Sequence, residues 1–237
     1  MEDIHLETPG CALIITPHPD DAEIACGGTV ANWIENGAKV HYVLCSDGSK
    51  GTEDSNMTPE RLRDIRYQEQ MDAACVLGVE NVVALNYLDG ELEDTKEFRG
   101  HIVKAIRTFR PDVVISPDPH RRSFYFHRDH RITGLVTQDA VFPYARDRLH
   151  FPEHEAEGLA PHKVGTILFY GAEEPDMFID ISDTMDLKLK ALEKHKSQIG
   201  DSRGDESTDW LRQWCKGIGQ LAGYDYAESF RKVEFRT

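Results

Sequence analysis

The sequence predicts an α/β protein of the Rossmann-like, doubly wound type, in which a mostly parallel sheet carries helices on both faces. Short apolar runs alternate with longer helical patterns through the first two-thirds of the 237-residue chain. Four strand–helix units follow one another with short connections, and this rhythm is typical of βαβ units in a parallel sheet. The chain contains no internal repeat, low-complexity tract or linker. We therefore expect residues 1–237 to form a single domain.

The first half of the chain supplies the clearest elements. We expect strands at Cys11–Thr16, Lys39–Ser46, Asn81–Tyr87 and Asp112–Ser116, and helices at Ala22–Asn36, Thr58–Leu77 and Glu97–Arg110. Thr58 followed by Pro59 places an N-cap residue before the first position of the second helix. Gly37 and Gly78 are expected to end the first two helices, since glycine is common just past a helix C-terminus.

Beyond Ser116 the alternation is less regular. We expect helices at His130–Phe142, Asp183–Ile199 and Thr208–Ile218, strands at Val164–Tyr170 and Met177–Ile181, and a loop over Phe151–Pro161. Trp210 and Trp214 lie four residues apart, so they are expected to share one buried helix face. Cys45 and Cys75 occupy apolar positions of a strand and a helix, and both are expected in the core.

The composition argues against several classes of function. Lys and Arg total 27 against 42 Asp and Glu, which gives a formal charge of −15. Nucleic acids and anionic membranes are captured by basic surfaces, so neither is an expected partner. No apolar run approaches the ~20 residues that span a bilayer, and the acidic start of the chain is unlike a secretory signal. The five cysteines form no CxxC pair, which indicates reduced thiols in a cytoplasmic protein and excludes a zinc site built from cysteines.

Histidine and aspartate concentrate in two loops that the predicted fold brings together. In an open parallel sheet, ligands bind beyond the carboxyl ends of the strands, where the strand order reverses. With the usual order 3-2-1-4, the loops after the first and fourth strands flank that crevice. The first strand runs into the sequence PHPDD at residues 17–21, and the fourth is followed by His120 and by HRDH at residues 127–130.

These residue types are typical of a metal site. His18 and Asp21 are three residues apart at a strand-to-helix turn, so their side chains can converge on one point. Imidazole and carboxylate suit Zn²⁺, and His130 would complete three ligands with an open position for water, on which Asp20 could act. The alternative for the two aspartates is that they only cap the following helix. The alternative for His127 and His130 is that they only solvate a helix face.

Three motifs occur in the order in which one known family carries them. Residues 16–29 read TPHPDDAEIACGGT, residues 127–134 read HRDHRITG, and residues 189–198 read LKALEKHKSQ. They resemble the (A/P)HPDD, HxDHxxxG and KxxALxxHxSQ segments of the LmbE/PIG-L family of zinc-dependent N-deacetylases. The resemblance spans about residues 11–200. Residues 56–90 also resemble the diacetylchitobiose deacetylase-like branch of that family.

The resemblance implies a role for each motif residue. The implied ligands of the cofactor Zn²⁺ are His18, Asp21 and His130. Asp20 is implied as the general base, and His127 as the positive partner of the oxyanion. Asp129 is implied to hydrogen-bond His127 and to hold it in a protonated orientation. The resemblance further implies a small N-acetyl amino sugar as substrate and a homo-oligomer, either a trimer or a hexamer.

Four more residues are candidates for substrate binding, namely Ser49, Arg66, Asp89 and His195. Ser49 lies in the loop DGSKG, which is a turn by default and departs from the TRGE-like loop of several family members. Arg66 either reaches a sugar hydroxyl or pairs with Glu69 in the same helix, and Asp89 invites the same inference of substrate contact. His195 either contacts substrate or packs a helix end.

Together with the resemblance, the sequence predicts a zinc-dependent hydrolase that removes the acetyl group from an N-acetylated amino sugar. The alternative is a metal-bound carbohydrate-binding or regulatory protein without turnover, and the intact Asp20 argues against it. A metal phosphoesterase is disfavoured, since the site lacks the carboxylates for two metals and a basic phosphate cradle. Gly27 and Gly28 come too late after the first strand for a dinucleotide fingerprint, so we expect them to let the helix pack closely on the sheet.

Overall fold

Strands and helices alternate along the chain in the computed structural model, which describes residues 6–123, 126–200 and 208–235. The strands are β1 (Cys11–Thr16), β2 (Lys39–Ser46), β3 (Asn81–Tyr87), β4 (Val113–Pro117), β5 (Thr166–Tyr170), β6 (Met177–Asp180) and β7 (Ala227–Glu234). The helices are α1 (Asp21–Glu35), α2 (Pro59–Leu77), α3 (Lys96–Phe109), α4 (Arg128–Asp139), α5 (Glu153–Ala156), α6 (Met185–Leu192), α7 (Lys196–Ile199) and α8 (Asp209–Ala222). A π-helical segment, Ala140–Tyr144, directly follows α4.

The seven strands form one sheet in the order β3-β2-β1-β4-β5-β7-β6. The pairs from β3 to β5 are parallel, and β7 runs antiparallel between β5 and β6. The first four strands therefore take the predicted order, and the predicted mostly parallel α/β fold is confirmed. The strand order reverses between β1 and β4, because the chain winds outward in one direction to β3 and in the other direction from β4.

Each face of the sheet has its own apolar core, because successive side chains of a strand point to opposite faces. On β1, Ala12 and Ile14 belong to one core, and Leu13 and Ile15 belong to the other. Residues of α1, α2 and α6 cover the first face, and residues of α3 and α4 cover the second. No helix in the described ranges is both long enough and apolar enough to cross a bilayer.

The predicted start and end of α2 are confirmed. The Thr58 hydroxyl accepts a hydrogen bond from the Arg61 backbone N–H at 3.3 Å, and Pro59 is the first helical residue. Gly78 ends the helix with a φ of 85°. Thr95 caps α3 in the same way, through a bond from the Phe98 N–H at 3.1 Å. Local sequence signals thus set the termini of the helices that flank the site.

Helix α1 is broken in its middle, where a carboxylate of β7 accepts hydrogen bonds from backbone N–H groups of the helix. Cys26 has non-helical angles of −146° and 16°. The backbone N–H groups of Gly28 and Thr29 donate to the buried carboxylate of Glu228 at 2.9 and 2.8 Å. Lys188 of α6 forms a buried ion pair with Glu228 and donates to the carbonyl oxygen of Ile24, which lies before the break, at 2.8 Å. The charge and the hydrogen bonds at the break are therefore satisfied by distant parts of the chain.

Several predicted elements in the second half of the chain were wrong. The single helix expected over Asp183–Ile199 is two short helices, α6 and α7. Helix α5 lies within the loop expected over Phe151–Pro161, and the helix expected from His130 begins at Arg128. Strand β7 was not predicted, because its sequence AESFRKVE alternates weakly and carries charges. Those charges have partners elsewhere, such as Lys188 for Glu228, and only the folded chain reveals them.

Two predictions about buried side chains were also wrong. Trp210 and Trp214 are 48% and 46% exposed and stack on each other at 6.4 Å, since α8 turns Leu211 and Cys215 inward instead. Cys75 is exposed on the outer side of α2, whereas Cys45 is buried as expected.

Gly28 packs closely against Ile181, which directly follows strand β6, and its backbone N–H donates to Glu228 of strand β7. A Cβ atom at Gly28 would lie 2.7 Å from the Cβ of Ile181, which is closer than real Cβ contacts allow. Gly27 similarly faces Lys188 of α6, since a Cβ atom there would lie 3.3 Å from the Lys188 Cγ. The two glycines therefore allow α1 to pack closely against α6 and the segment between β6 and α6.

The substitution Gly28→Ala should destabilise the protein by about 1–3 kcal/mol, the usual cost of overpacking a filled interior. Gly217→Ala in α8 is the matched control, because no atom lies within 4 Å of a Cβ atom at that position. The control should raise the free energy of unfolding by up to about 1 kcal/mol, since alanine is the better helix former. Urea unfolding measures both changes, and equal stability of the two variants would contradict this account of the contact.

Candidate metal centre and active site

The candidate site lies at the carboxyl ends of β1 and β4, where the strand order reverses. The loop after β1 carries residues 17–20 into α1, and α4 begins at Arg128 beyond β4. The loops that follow β2 and β3 lie beside them, since all four strands are parallel and end at the same edge. The predicted meeting of the PHPDD and HRDH segments at this edge is therefore observed.

His18, Asp21 and His130 form a compact group of potential metal ligands. Their ligand atoms all lie within 4.8 Å of one another, and all three residues are buried. Asp21 is central, with one carboxylate oxygen 3.3 Å from His18 Nδ1 and the other 3.2 Å from His130 Nε2. Two imidazoles and one carboxylate make a nitrogen and oxygen donor set that suits a catalytic zinc ion. The structure thus brings the three expected ligands together.

The other nitrogen of His18 faces two further carboxylates. His18 Nε2 lies 3.2 Å from Asp129 Oδ2 and 3.2 Å from Asp89 Oδ1. The Asp129 carboxylate also accepts the backbone N–H groups of Gly90 at 2.7 Å and Leu92 at 3.2 Å. A metal-binding histidine is commonly oriented in this way, with a carboxylate on the nitrogen that does not face the metal.

This acidic surrounding controls the charge of His18. Burial alone would lower the pKa of His18, but hydrogen bonds to Asp129, Asp21 and Asp89 outweigh it and raise the pKa to about 12. Burial would likewise raise the pKa of Asp21, and the neighbouring His130 and His18 lower it below its usual range. The group therefore holds a positive charge among its carboxylates, and a divalent cation can replace that proton.

Asp20 lies beside this group with a different environment. Burial raises the pKa of Asp20 to about 7, and the neighbouring Asp21 carboxylate adds to the rise. The Asp20 Oδ2 atom lies 3.4 Å from a guanidinium nitrogen of Arg66. A carboxyl group that titrates near neutral pH can both accept and return a proton under working conditions.

His127 is the N-cap of α4 and lies edge-on to His18, with ring centroids 4.6 Å apart. Its Nδ1 accepts the backbone N–H of Asp129 at 3.2 Å. Burial lowers the pKa of His127, and the neighbouring His18 and His130 lower it further. The bond between Asp129 and His127 therefore runs through the backbone of Asp129, whose carboxylate faces His18, and the pKa direction favours a neutral His127. Both findings differ from the expected protonated His127 held by the Asp129 side chain.

His127 also belongs to a second potential ligand group with His18 and Asp89, whose ligand atoms lie within 4.8 Å of one another. The two groups share His18, so they describe overlapping parts of one centre.

The candidate substrate-binding residues differ in position. Arg66 is buried, and its guanidinium donates to the carbonyl oxygens of Gly48 at 3.0 Å and Pro19 at 2.8 Å. It therefore joins the loops after β1 and β2. The alternative pairing with Glu69 is replaced by hydrogen bonds from Ser197 to the Glu69 carboxylate at 2.8 and 2.6 Å.

Ser49 and Asp89 lie where the loops after β2 and β3 meet. The backbone N–H groups of both residues donate to one carboxylate oxygen of Asp47, each at 3.1 Å. The Asp89 carboxylate accepts the Lys50 N–H at 3.0 Å in addition to facing His18. Asp89 thus borders the metal centre directly, and Ser49 is held close to it. Their contacts with substrate stay a prediction.

His195 is completely buried, and its Nε2 lies 3.1 Å from the carboxylate of Glu23. No surface of the side chain is exposed, and its observed side-chain contact is with Glu23 inside the protein. Its contact with substrate stays a prediction. Sequence reasoning missed Gln70, which accepts the Asp20 N–H, and Glu23, which accepts a hydrogen bond from Gln70. Gln70 follows Arg66 by four residues in α2, and this spacing was the available signal for a shared helix face.

Comparisons with known proteins identify the family to which this sequence and fold are similar. A family model described as PIG-L, GlcNAc-PI de-N-acetylase, matches residues 13–141. Diacetylchitobiose deacetylase of Thermococcus kodakarensis is 37% identical over 221 residues, which cover 93% of this chain and 82% of that protein. The structure of N,N'-diacetylchitobiose deacetylase from Pyrococcus horikoshii matches with a TM-score of 0.90 and 33% identity, over 98% of this chain and 88% of that one.

The fold itself is shared more widely. GalB, the 4-carboxy-2-hydroxymuconate hydratase of Pseudomonas putida, matches with a TM-score of 0.77 at 21% identity, over 96% of this chain and 97% of that one. A similarity at this level concerns the fold alone. The family match includes the loop after β1 and all of α4, and it is joined by a relative above 30% identity along most of the chain. The chain therefore belongs to the PIG-L family, whose model is described as GlcNAc-PI de-N-acetylase.

Proposed function

We propose that this protein is a zinc-dependent hydrolase that removes the acetyl group from an N-acetylated amino sugar of the N-acetylglucosamine type. The observation that carries the proposal is the buried group of His18, Asp21 and His130 with Asp20 beside it. Members of its family with high similarity are named as deacetylases of diacetylchitobiose. The fold match alone would not support this choice, since a hydratase shares it.

The residues fit the chemistry of amide hydrolysis. A zinc ion held by the three ligands would supply a Lewis acid toward the acetyl carbonyl and lower the pKa of water. Asp20 accepts the proton of the attacking water and later delivers it to the leaving amine nitrogen. Its pKa of about 7 suits both transfers at neutral pH.

His127 can stabilise the negative oxygen that develops during the attack. Its Nδ1 accepts the Asp129 N–H, so a neutral ring carries its proton on Nε2. That N–H can donate a hydrogen bond to the oxyanion without a positive charge on the ring. The resemblance implies a positive His127 beside the oxyanion, whereas the lowered pKa of His127 favours a neutral hydrogen-bond donor there.

The charges around the site support a neutral sugar as substrate. Asp20, Asp21, Asp89 and Asp129 are all within or beside the centre, and Arg66 is turned toward backbone carbonyl oxygens. These carboxylates disfavour an anionic group wherever the charge of a bound zinc ion does not offset theirs. The disaccharide named for the relatives carries no charge.

The proposal is tested by measuring acetate release from N-acetylglucosamine and diacetylchitobiose with the zinc-loaded protein. Phosphate release from phosphate esters, assayed in parallel, covers the phosphoesterase alternative. Protein with one bound zinc and no acetate release from a panel of N-acetyl sugars would support the alternative of a metal-bound carbohydrate-binding or regulatory protein and contradict the proposal.

We also propose that the whole chain is one domain and that it acts in the cytoplasm as a homo-oligomer, either a trimer or a hexamer. Strands β1 and β7, from opposite ends of the chain, lie in one sheet, which supports a single domain. All five cysteines are free, which suits a reducing compartment. The oligomer rests on the family resemblance, and light scattering of the purified protein tests it.

The two neighbouring aspartates should fail differently when changed to asparagine. Asp21→Asn should lose both zinc and activity, because it removes a charged ligand. Asp20→Asn should keep zinc and lower kcat by about 10²- to 10⁴-fold, the usual contribution of a positioned acid–base group. Metal content measured beside kcat distinguishes them. If both aspartates only capped α1, the two variants would remain active with normal zinc content, since asparagine caps a helix as well as aspartate.

Zinc affinity should increase with pH even above the normal titration range of histidine. Metal-free His18, with its pKa near 12, still holds a proton at pH 8, and zinc must displace it. Binding should therefore release at least about one proton per zinc at pH 8, measured by calorimetry in buffers of different ionisation enthalpy. The variant Asp129→Asn weakens the main cause of the raised pKa, so its proton release should fall off at a lower pH than that of the wild type when the titration is repeated toward higher pH. The same pH dependence of release in the two proteins would contradict the assigned role of the Asp129 carboxylate.

A further inference from the structure

We propose that Gln70 is a positioning residue for Asp20, and that it is the middle of a buried hydrogen-bond chain running from Asp20 through Glu23 to His195. The inference rests on the proposed function, because it concerns the general base of that reaction. It gives a role to three buried polar side chains that bind neither metal nor substrate in the mechanism above.

Asp20 needs to be held in place because its backbone is strained. Its φ of 87° and ψ of −27° lie in the left-handed region, which residues with a Cβ atom rarely adopt. Its backbone carbonyl oxygen accepts the first bond of α1, from the Ile24 N–H at 3.0 Å. The direction of the Asp20 side chain follows from this backbone, so a change in φ would turn the carboxylate away from its present position.

Gln70 contacts Asp20 at the backbone donor of that strained residue. The Asp20 N–H donates to the Gln70 side-chain oxygen at 3.2 Å. The Gln70 side chain comes from α2 and is only 1% exposed, so water does not compete readily for the bond. Arg66 contacts the Asp20 carboxylate from the same helix. Helix α2 thus holds Asp20 at two points.

The orientation of the Gln70 amide is dictated by Glu23. The Gln70 Nε2 group donates to one carboxylate oxygen of Glu23 at 3.0 Å, and His195 Nε2 lies 3.1 Å from the other. Glu23 and His195 are both fully buried. An ionised carboxylate only accepts hydrogen bonds, so it selects the amide nitrogen and turns the amide oxygen toward Asp20. Asp20 therefore donates to Gln70, and Gln70 donates in turn to Glu23, whose second oxygen faces His195.

The chain reaches the base and not the metal ligands. Asp21 Oδ2 accepts the His18 N–H at 2.9 Å and, like Oδ1, faces an imidazole. The bonds of Gln70 go to Asp20 and Glu23. Loss of the Gln70 acceptor should therefore misplace Asp20 and leave zinc binding intact.

The first test compares Gln70→Met with Gln68→Met. Methionine keeps the approximate length of glutamine without its acceptor, and Gln68 is exposed on the same helix, where it bonds Asp72 at 2.8 Å. Gln70→Met should lower kcat by about 10- to 100-fold, the scale of a small misplacement of a reacting group, with KM and zinc content within about twofold of wild type. Gln68→Met should behave as wild type. Wild-type kcat for Gln70→Met, or a loss that only follows its zinc content, overturns the proposal.

The second test exchanges the amide and the carboxylate, so that residue 23 donates the hydrogen bond to residue 70. Gln70→Glu alone sets two carboxylates against each other and should be as slow as Gln70→Met. Adding Glu23→Gln restores a full set of bonds, because the new carboxylate accepts from Asp20 and from the new amide, whose oxygen accepts from His195. The double variant should recover kcat to within about fivefold of wild type, and this comparison holds even if Gln70→Met does not fold. A double variant no faster than Gln70→Glu overturns the proposal.

Both tests are run on zinc-loaded proteins beside the wild type. A wild type that holds zinc and releases no acetate would overturn the proposed function itself. An active wild type with no effect of the Gln70 substitutions overturns only the positioning role.

Discussion

The contacts between His18 and the carboxylates around it are the interaction on which the rest of the site depends. One ring nitrogen faces Asp21, and the other faces Asp129 and Asp89 at 3.2 Å. These carboxylates come from the segments after β1, β3 and β4, so a single imidazole connects three parts of the sheet edge. Buried negative charges at this distance require a cation among them, and either a proton or a divalent metal can meet that need. The same electrostatic constraint thus joins the folding of the loops to metal binding.

The neighbouring carboxylates Asp20 and Asp21 show how position separates two chemical roles. Asp21 points between two imidazoles, which lower its pKa, and burial and the adjacent Asp21 charge raise the pKa of Asp20 to about 7. Two titratable groups whose surroundings shift their pKa values in opposite directions are a common basis for dividing acid–base work from ligand binding. The turn between β1 and α1 achieves this separation over one residue, through the left-handed backbone of Asp20.

Helix α1, which follows the Asp20 loop, is held in place by buried polar groups whose partners come from distant parts of the chain. Glu228 accepts the backbone N–H groups at the break of α1 and is paired with Lys188. Gln70 accepts the N–H of Asp20, which precedes α1, and donates to the Glu23 carboxylate in the first turn. Such groups are costly to bury unless each finds its partner, so they allow little variation in how α1 lies against the helices beside it. A precise placement of the loop before α1 follows from this, and a catalytic base needs that precision.

The sequence by itself determined the parallel half of the sheet, the helices around it and the residues that meet at its edge. These features follow from local patterns, such as the apolar run Cys11–Thr16 and the spacing of His18 and Asp21, which act within a few residues. Only the tertiary structure decided that the carboxylate of Asp129 serves His18, 111 residues away, and that His195 serves Glu23, 172 residues away. The charged strand β7 and the outward-facing Trp210 were also decided there. The reason is physical, since the orientation of a buried polar side chain depends on which partner the fold brings to it, and periodicity carries no information about that partner.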